Sequence, residues 1–558
     1  MKYIPTKHKP CDLFLDRTGD GTAGCQPSTP PPPQYERDLV DATDALLKKY
    51  WGYTSFLPHQ REIIASVLEG RDTLAVLATG GGKSLCYQLP ALALGGLTLV
   101  VSPLLSLMKD QVDDLTLRGV PAAACTGSLK PEEREEIRRS LEEDTLRLLF
   151  ISPEKCMQPA VLASLRRLPV RLIAIDEAHC ISEWGHNFRP EYRHLNGLRR
   201  HLPHVPIVAL TATATPDVRE DICRQLGLSG PAVFVGTFNR PEVRYRVLPK
   251  SNPTALLLAC IREHRNESGI VYCSSREKTE EIAGVLGRYG YRAHAYHAGL
   301  DTRTRERVQE DFLRGRVRIV CATVAFGMGV DKPDVRYVVH YDLPGSLECY
   351  YQESGRAGRD GRPAECVLFY DPADHERIRS MIDRGGPGGR HRRTALRKLE
   401  EMRGYCETAA CRRKYLLNYF GEAYAAETCG RCDTCEGPGG RIDGTECARR
   451  IIACVEQLPG DPGIDLIADV LRGSKNATVR NNRFDLLPAY NTGREWSRRH
   501  YRAIVSDLIG QGYLARSGGR RRGVRLTERS ARITEGGERV TVPAEQERRE
   551  ENRKNQQK

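Results

Sequence analysis

No stretch of the 558-residue chain is apolar for long enough to cross a membrane. The longest apolar run, Leu89 to Val101, is broken by Pro90 and by Gly95-Gly96 and falls short of the ~20 residues a spanning helix needs. The first residues, MKYIPTKHKPCDLFLDRTG, lack an apolar core of secretory length, so export is not expected. No internal repeat stands out. With 40% hydrophobic and 28% charged residues, collagen-like and wholly disordered readings also fall away. What remains is a globular chain with residues for about four domains at ~150 each.

Positive charge is in moderate excess, 85 Lys and Arg against 72 Asp and Glu, a formal +13. Such a balance suits a polyanionic partner without naming one. Nineteen cysteines in a long chain without a signal peptide point to reduced intracellular thiols, with metal binding the best use of a tight cluster.

Residues 1–36 are polar, with Pro30 to Pro33 in sequence, and read as a disordered or extended lead-in. Over 37–240, short apolar runs alternate with helical patterns. Strands are expected at Thr73–Leu77, Thr98–Ser102, Leu146–Ser152, Arg171–Ile175 and Ile207–Leu210, the pattern of a parallel α/β sheet. A second series over 241–384 has strands near Gly269–Tyr272, Arg292–Tyr296, Val317–Ala322 and Val335–Tyr341. Gly/Pro clusters at 385–389 and 437–440 bracket a segment, 391–436, that holds the tightest group of cysteines. From 535 to 558 the chain is charged and poor in apolar residues, and a disordered tail is expected.

After the first strand comes Ala78-Thr79-Gly80-Gly81-Gly82-Lys83-Ser84 and then a helix-compatible run. Successive backbone N–H groups in such a turn converge on phosphate oxygens, and the helix N-terminus adds favourable partial charge. Lys83 would reach the β- and γ-phosphates and Ser84 would hold Mg²⁺. A strict match would have Gly where Leu77 stands, so the competing reading is a Gly-rich turn that binds nothing. About 90 residues on, the apolar strand Leu172–Ile175 delivers Asp176-Glu177-Ala178-His179 to its C-terminal end. There Asp176 can hold Mg²⁺ and Glu177 can deprotonate an attacking water. Together the two motifs imply nucleotide hydrolysis.

The Asp-Glu-Ala-His tetrad with Leu210-Thr211-Ala212-Thr213-Ala214 resembles the motor of superfamily 2 helicases. Val101-Ser102-Pro103-Leu104, Tyr296-His297-Ala298-Gly299, Ala322 to Gly329 and Gln352 to Arg359 follow the same pattern, and their wording resembles the RecQ family of DNA helicases over roughly residues 45–530. The resemblance implies two RecA-like α/β domains and an ATP-hydrolysing site with Lys83, Asp176, Glu177, His179, Arg356 and Arg359 as its catalytic set. Arg359 would be the arginine finger and Arg356 its partner. Upstream, Trp51 to Gln60 resembles the family's adenine-recognition motif: Gln60 would pair with the adenine edge and Tyr53 stack on the base, although Leu57 stands where the family commonly has Arg. Thr79, Gly80, Gly81, Gly82, Lys83 and Ser84 complete the expected ATP-binding set.

Immediately after the tetrad, Cys180 to Tyr192 resembles the family's aromatic-rich loop. Bases stack on aromatic faces at ~1–3 kcal/mol each, so Trp184, Phe188 and Arg189 are candidate contacts to single-stranded DNA; a plain hydrophobic anchor is the bland alternative. Cys429, Cys432 and Cys435 are separated by two residues each, with Cys411 upstream. Four thiolates satisfy a closed tetrahedral Zn²⁺ site, iron–sulfur ligation being the alternative; the resemblance favours zinc. Residues 445–530 resemble a winged-helix domain, with helical runs at Ile451-Ile452-Ala453, Gly463 to Gly473 and Arg502 to Ile509, and wing strands at Gly512–Arg516 and Val524–Leu526. The turn between the strands carries Arg520, Arg521 and Arg522, which suit duplex phosphates, and no aromatic that could prise base pairs apart.

The expected protein is thus an α/β motor of two RecA-like domains, followed by a zinc-binding helical module and a winged helix. By resemblance it is a 3′–5′ DNA helicase using ATP, Mg²⁺ and Zn²⁺ on single-stranded and forked or duplex DNA in repair and recombination. Its place would be the cytoplasm or nucleoid, or the nucleus in a eukaryote. Too few residues follow the wing for the family's further C-terminal helicase-and-RNase-D domain. An RNA-remodelling ATPase and a non-enzymatic DNA-binding scaffold are the rival readings.

Overall fold

The computed structural model describes residues 42–127, 129–185, 188–327, 332–384, 389–436, 441–517 and 523–543. The expected lead-in and the wing-tip arginines Arg520, Arg521 and Arg522 lie outside these residues. The chain divides into two compact units, one of residues up to Phe238 with Ser275–Val335 and Glu348–Arg362, the other of Asn239–Ser274, Arg336–Leu347 and Pro363 onwards. The units therefore do not follow the expected boundary at residue 240 throughout.

In the first unit, seven strands form one sheet: β1 Thr73–Val76, β2 Leu97–Val101, β3 Ala122–Cys125, β4 Leu148–Ile151, β5 Val170–Ile175, β6 Ile207–Thr211 and β7 Ala232–Val235. Their order is β3-β4-β2-β5-β6-β1-β7 and every pairing is parallel. A parallel sheet hides both faces under crossover helices, which is why β1, β2, β4 and β6 are buried throughout and read as continuous apolar runs. β3 and β7 escaped the sequence reading because each closes an end of the sheet and is only partly buried. Since β6 lies between β5 and β1, the segments leaving the C-terminal ends of these three strands are neighbours. Ligands gather at such ends in open α/β sheets.

The later strands are β8 Val243–Pro249, β9 Ser268–Tyr272, β10 Ala293–Tyr296, β11 Ile319–Ala322, β12 Val335–His340 and β13 Ala364–Tyr370. β10 and β11 pair in parallel within the first unit. The second unit carries β9-β12-β13-β8 in that order, with β12–β13 and β13–β8 parallel. The expected strands of this series are present. β8 and β13 were not anticipated, although Val243 and Tyr245 alternate as buried residues and β13 is almost wholly buried and apolar but for Glu365.

Two helices, Gly389–Glu407 and Arg412–Tyr419, lead into the cysteine segment. Beyond it, helices Thr445–Gln457, Ile464–Leu471 and Arg498–Gly510 pack around Ile451, Ile467, Val470, Ile504 and Leu508, all fully buried. β15 Leu514–Arg516 and β16 Val524–Leu526 form the antiparallel wing, as expected. The charged tail expected over 535–558 is corrected for its first part, 535–543; residues 544–558 lie outside the described residues. β17 Thr541–Pro543 pairs antiparallel with β14 Arg441–Asp443, and Val540 and Val542 are buried in the winged-helix core. Two alternating valines in a charged stretch found a partner strand about 100 residues upstream, which local composition does not reveal. Among the described residues no helix is long and apolar enough to cross a membrane.

Candidate functional site

The glycine-rich turn after β1 and the acidic turn after β5 open onto one cleft of about 800 Å³ in the first unit, in the range that nucleotide-sized ligands occupy. Tyr53, Gln60, Thr79, Gly80, Gly82, Lys83, Ser84, Asp176, Glu177, Arg356 and Arg359 all line it. Gly81 completes the turn, its N–H donating to the Ala78 carbonyl at 2.9 Å. Gly80 and Gly82 have φ of +86° and +68°, and a Cβ on Gly82 would come within 2.2 Å of the Gln60 amide nitrogen. The backbone there is open to a close approach only because it has no side chains.

Lys83 Nζ lies 3.3 Å from the Leu77 carbonyl oxygen. Burial depresses its pKa, the carboxylates of Glu177 and Asp176 pull the other way, and the Arg359 charge adds to the depression. Burial and the neighbouring Glu177 push Asp176 up to about 7, against the pull of Lys83. Adjacent carboxylates that resist ionising together are the situation a divalent cation relieves, so Asp176 and the Ser84 hydroxyl fit Mg²⁺. Glu177 is held in the left-handed region at φ +47°, which a non-glycine residue adopts only when its surroundings enforce it. Its N–H donates to Asp176 Oδ1 at 2.9 Å, turning the two carboxyl groups to different tasks.

His179 is buried, and its Nδ1 lies 2.9 Å from Thr211 Oγ1 and 3.2 Å from Glu177 Oε2. It thereby joins the acidic turn to the end of β6. Burial disfavours the imidazolium, but Cys180 and Glu177 outweigh it and the pKa is raised. Thr211 belongs to the Leu210–Ala214 motif, and its contact with His179 emerges only once β5 pairs with β6. Tyr192, whose hydroxyl donates to the Asp176 carbonyl at 3.0 Å, was likewise hidden from the sequence.

Gln60 is nearly fully buried; Nε2 donates to the Gly82 carbonyl at 3.0 Å and Oε1 accepts from Leu57 N at 2.8 Å. One N–H and one lone pair of the amide remain for a base edge. Tyr53 is 56% exposed, as a stacking platform requires, and Leu57, 48% exposed, lines the same cleft. Arg356 is buried with Gly327 against its guanidinium, and Arg359 runs beside Gly80. Both arginines thus belong to the same compact unit as the phosphate turn.

The aromatic loop is tied down at several points. Arg189 Nη1 donates to the Pro103 carbonyl at 2.9 Å, so its guanidinium braces the loop against the Val101–Leu104 turn. The Phe188 ring lies under the Arg193 guanidinium at 5.1 Å, and Arg193 pairs with Glu183 at 2.9 Å. Trp184 is half-buried; its N–H donates to Ser182 Oγ, which donates to the buried carboxylate of Asp221 at 2.6 Å.

In the second unit, one sulfur from each of Cys411, Cys429, Cys432 and Cys435 lies within 4.8 Å of all the others. Tetrahedral zinc with Zn–S of ~2.3 Å fits four sulfurs at such separations. Arg412 N donates to Cys432 Sγ at 3.4 Å, and the Arg412 guanidinium binds Asp433 through Nε at 2.9 Å and Nη2 at 3.1 Å. Asp433 Oδ2 also accepts from Val247 N of β8 at 2.9 Å. Outer contacts of this kind fix metal-binding loops. Cys406 is buried nearby and takes no part in the cluster.

Four family descriptions match successive parts of the chain: DEAD/DEAH box helicase over residues 57–222, helicase conserved C-terminal domain over 252–361, RecQ zinc-binding over 372–436, and RQC domain over 438–551. The chain is 44% identical over 480 residues to an ATP-dependent DNA helicase RecQ of Pasteurella multocida, covering 86% of this chain and 76% of that protein. It is 44% identical over 470 residues to the protein of the same name from Haemophilus influenzae, with 84% and 76% covered. The Bacillus subtilis protein of that name is 38% identical over 483 residues, with 86% and 81% covered.

Proposed function

The chain belongs to the RecQ family of ATP-dependent DNA helicases, and from that premise we propose that it couples ATP hydrolysis to 3′–5′ movement along one DNA strand and to strand separation, in repair and recombination. The observation that carries the proposal is the convergence of Lys83, Asp176, Glu177, Arg356 and Arg359 on one cleft. ATP and Mg²⁺ are the substrate and cofactor of the motor, and Zn²⁺ belongs to the four-cysteine module.

In this reading the turn Thr79–Ser84 cradles the phosphates and Lys83 neutralises the terminal ones. Ser84 and Asp176 hold Mg²⁺, which supplies charge neutralisation at the phosphates. Glu177 accepts the proton of the attacking water. Arg359, with Arg356 behind it, stabilises the charge that spreads over the transferring phosphoryl. Tyr53 stacks on adenine while Gln60 meets its edge. Trp184 and Phe188 take unpaired bases, and His179 carries the consequence between Glu177 and Thr211. Arg189 keeps the loop in place through Pro103 in addition to any phosphate contact. Wing arginines Arg520, Arg521 and Arg522 meet duplex phosphates.

We assign residues 37–240 and 241–384 to the two RecA-like domains, 391–436 to the zinc module and 445–530 to the winged helix, with β17 extending the last. The place of action is where the DNA is, the nucleoid or, in a eukaryote, the nucleus. The test is ATP hydrolysis and unwinding with single-stranded DNA, forked DNA and RNA, beside Lys83→Ala. DNA-stimulated hydrolysis and unwinding that Lys83→Ala abolishes is the expected result. Stimulation by RNA alone, or no hydrolysis on any substrate, would overturn the proposal.

A further inference from the structure

The zinc module grips the segment at which the chain leaves the first unit. That unit's first segment ends at Phe238, and the residues that follow, Asn239 to Val243, lead into β8. Arg413, in the first turn of the helix that Cys411 caps, is 4% exposed. Its Nη1 donates to Asn239 Oδ1 at 2.9 Å, and its Nη2 donates to the carbonyls of Val243 at 2.7 Å and Pro241 at 3.5 Å. Arg431, between Cys429 and Cys432, donates from Nη1 to the same Pro241 carbonyl at 3.1 Å. The two arms of the cysteine cluster are 18 positions apart in sequence, from Cys411 to Cys429. Each carries an arginine within two positions of a cluster cysteine, and both arginines converge on one carbonyl.

An ion that joins the two arms thereby fixes where both guanidinium groups stand. Charged donors make the strongest hydrogen bonds to backbone carbonyls, and Pro241 stiffens the segment they hold. Helicase motors work by a conformational cycle whose hinges are short linking segments that absorb changes of φ and ψ. Building on the helicase reading above, we propose that the zinc module is a clamp on the link between the motor's two lobes, and that Arg413 and Arg431 are positioning residues which couple ATP hydrolysis to strand separation. Neither lines the cleft.

The experiment uses the full chain with Arg413→Gln and Arg431→Gln combined, and separately Asn239→Ala, which removes a partner of Arg413 without altering the zinc segment. Measured quantities are zinc per chain, DNA-stimulated ATPase, base pairs unwound per ATP hydrolysed, and amide exchange of peptides spanning 239–247. We expect full zinc, an ATPase within about twofold of wild type, exchange of that segment faster by about fivefold or more, and base pairs opened per ATP reduced about threefold or more. Wild-type yield per ATP, or unchanged exchange, in the zinc-loaded variants would overturn the clamp. If the double variant loses zinc, Arg431→Gln alone decides on the same readouts, because its side chain is exposed and touches no cysteine. A wild-type protein without DNA-stimulated hydrolysis would instead refute the helicase reading itself, so the two failures are distinct.

Discussion

The side-chain amide of Gln60 donates to the carbonyl oxygen of Gly82 at 3.0 Å, across 22 residues of chain. The side chain proposed to read the base and the turn proposed to hold the phosphates are therefore one construction. Gly82→Ala would put a Cβ 2.2 Å from that nitrogen at a φ of +68°. We expect it to raise the KM for ATP about tenfold or more, a cost of ~1.4 kcal/mol, with Gln60→Ala lowering discrimination of ATP from GTP. Steady-state hydrolysis with both nucleotides checks this, and an unchanged KM in Gly82→Ala would show that the contact does not shape the cradle.

Glu177, held at φ +47° beside Asp176, is the residue proposed above to take the proton of the attacking water. Glu177→Gln should keep nucleotide affinity while hydrolysis falls by ~10²–10⁴. Equilibrium binding of a fluorescent ATP analogue, run beside single-turnover hydrolysis, separates the two effects. Lost affinity with normal turnover would move the residue out of this role.

Thr211 Oγ1 and His179 Nδ1, both buried, meet at 2.9 Å. Thr211→Val keeps the shape and removes the hydroxyl, leaving a buried polar group short of a partner at ~1–3 kcal/mol. A fall in Tm and weaker stimulation of the ATPase by DNA are expected together. A variant as stable and as strongly stimulated as wild type would mean that the contact transmits nothing.

Metal removal has a local signature. Cys432, 1% exposed, accepts from Arg412 N, and the neighbouring Asp433 carries the hydrogen bond to Val247 of β8. Cys432→Ala should lose the zinc and open residues 391–436 to protease, since structural zinc in small modules contributes ~10–16 kcal/mol of apparent binding energy. Metal analysis by mass spectrometry and a timed digest would contradict the assignment if both matched wild type.

An acid-sensitive element sits in the second unit. Burial alone would raise the Asp342 pKa, but hydrogen bonds from Lys250 Nζ at 2.7 Å and Ser274 N at 2.8 Å more than offset it and hold the group below the usual carboxylate value. A group whose pKa is lowered on folding adds stability that is complete above the unfolded value and is lost as pH falls through the folded one. Asp342→Asn should therefore reduce the difference in Tm between pH 7 and about pH 2, well below the ~3.9 of an unfolded Asp, and an identical pH profile would count against it.

The strands that deliver the site were legible because β1, β5 and β6 are buried throughout or nearly so, with at most one polar residue each, and because each ends in a turn whose residue types have few other uses. β3 and β7 were not, since edge strands are half-buried and carry weaker signals. β17 was hidden in a charged stretch, where only its partner β14, far upstream, makes Val542 a core residue.

The sequence by itself determined the family, the phosphate turn, the acidic pair and the four zinc cysteines, because these chemistries need particular residue types at fixed short spacings. Tertiary structure alone decided that Gln60 closes on Gly82, that Arg189 braces a loop against Pro103, that Thr211 meets His179, and that Arg413 and Arg431 share the carbonyl of Pro241. These contacts join residues tens to nearly two hundred positions apart, and a hydrogen bond depends on where the fold brings donor and acceptor, which no local pattern encodes.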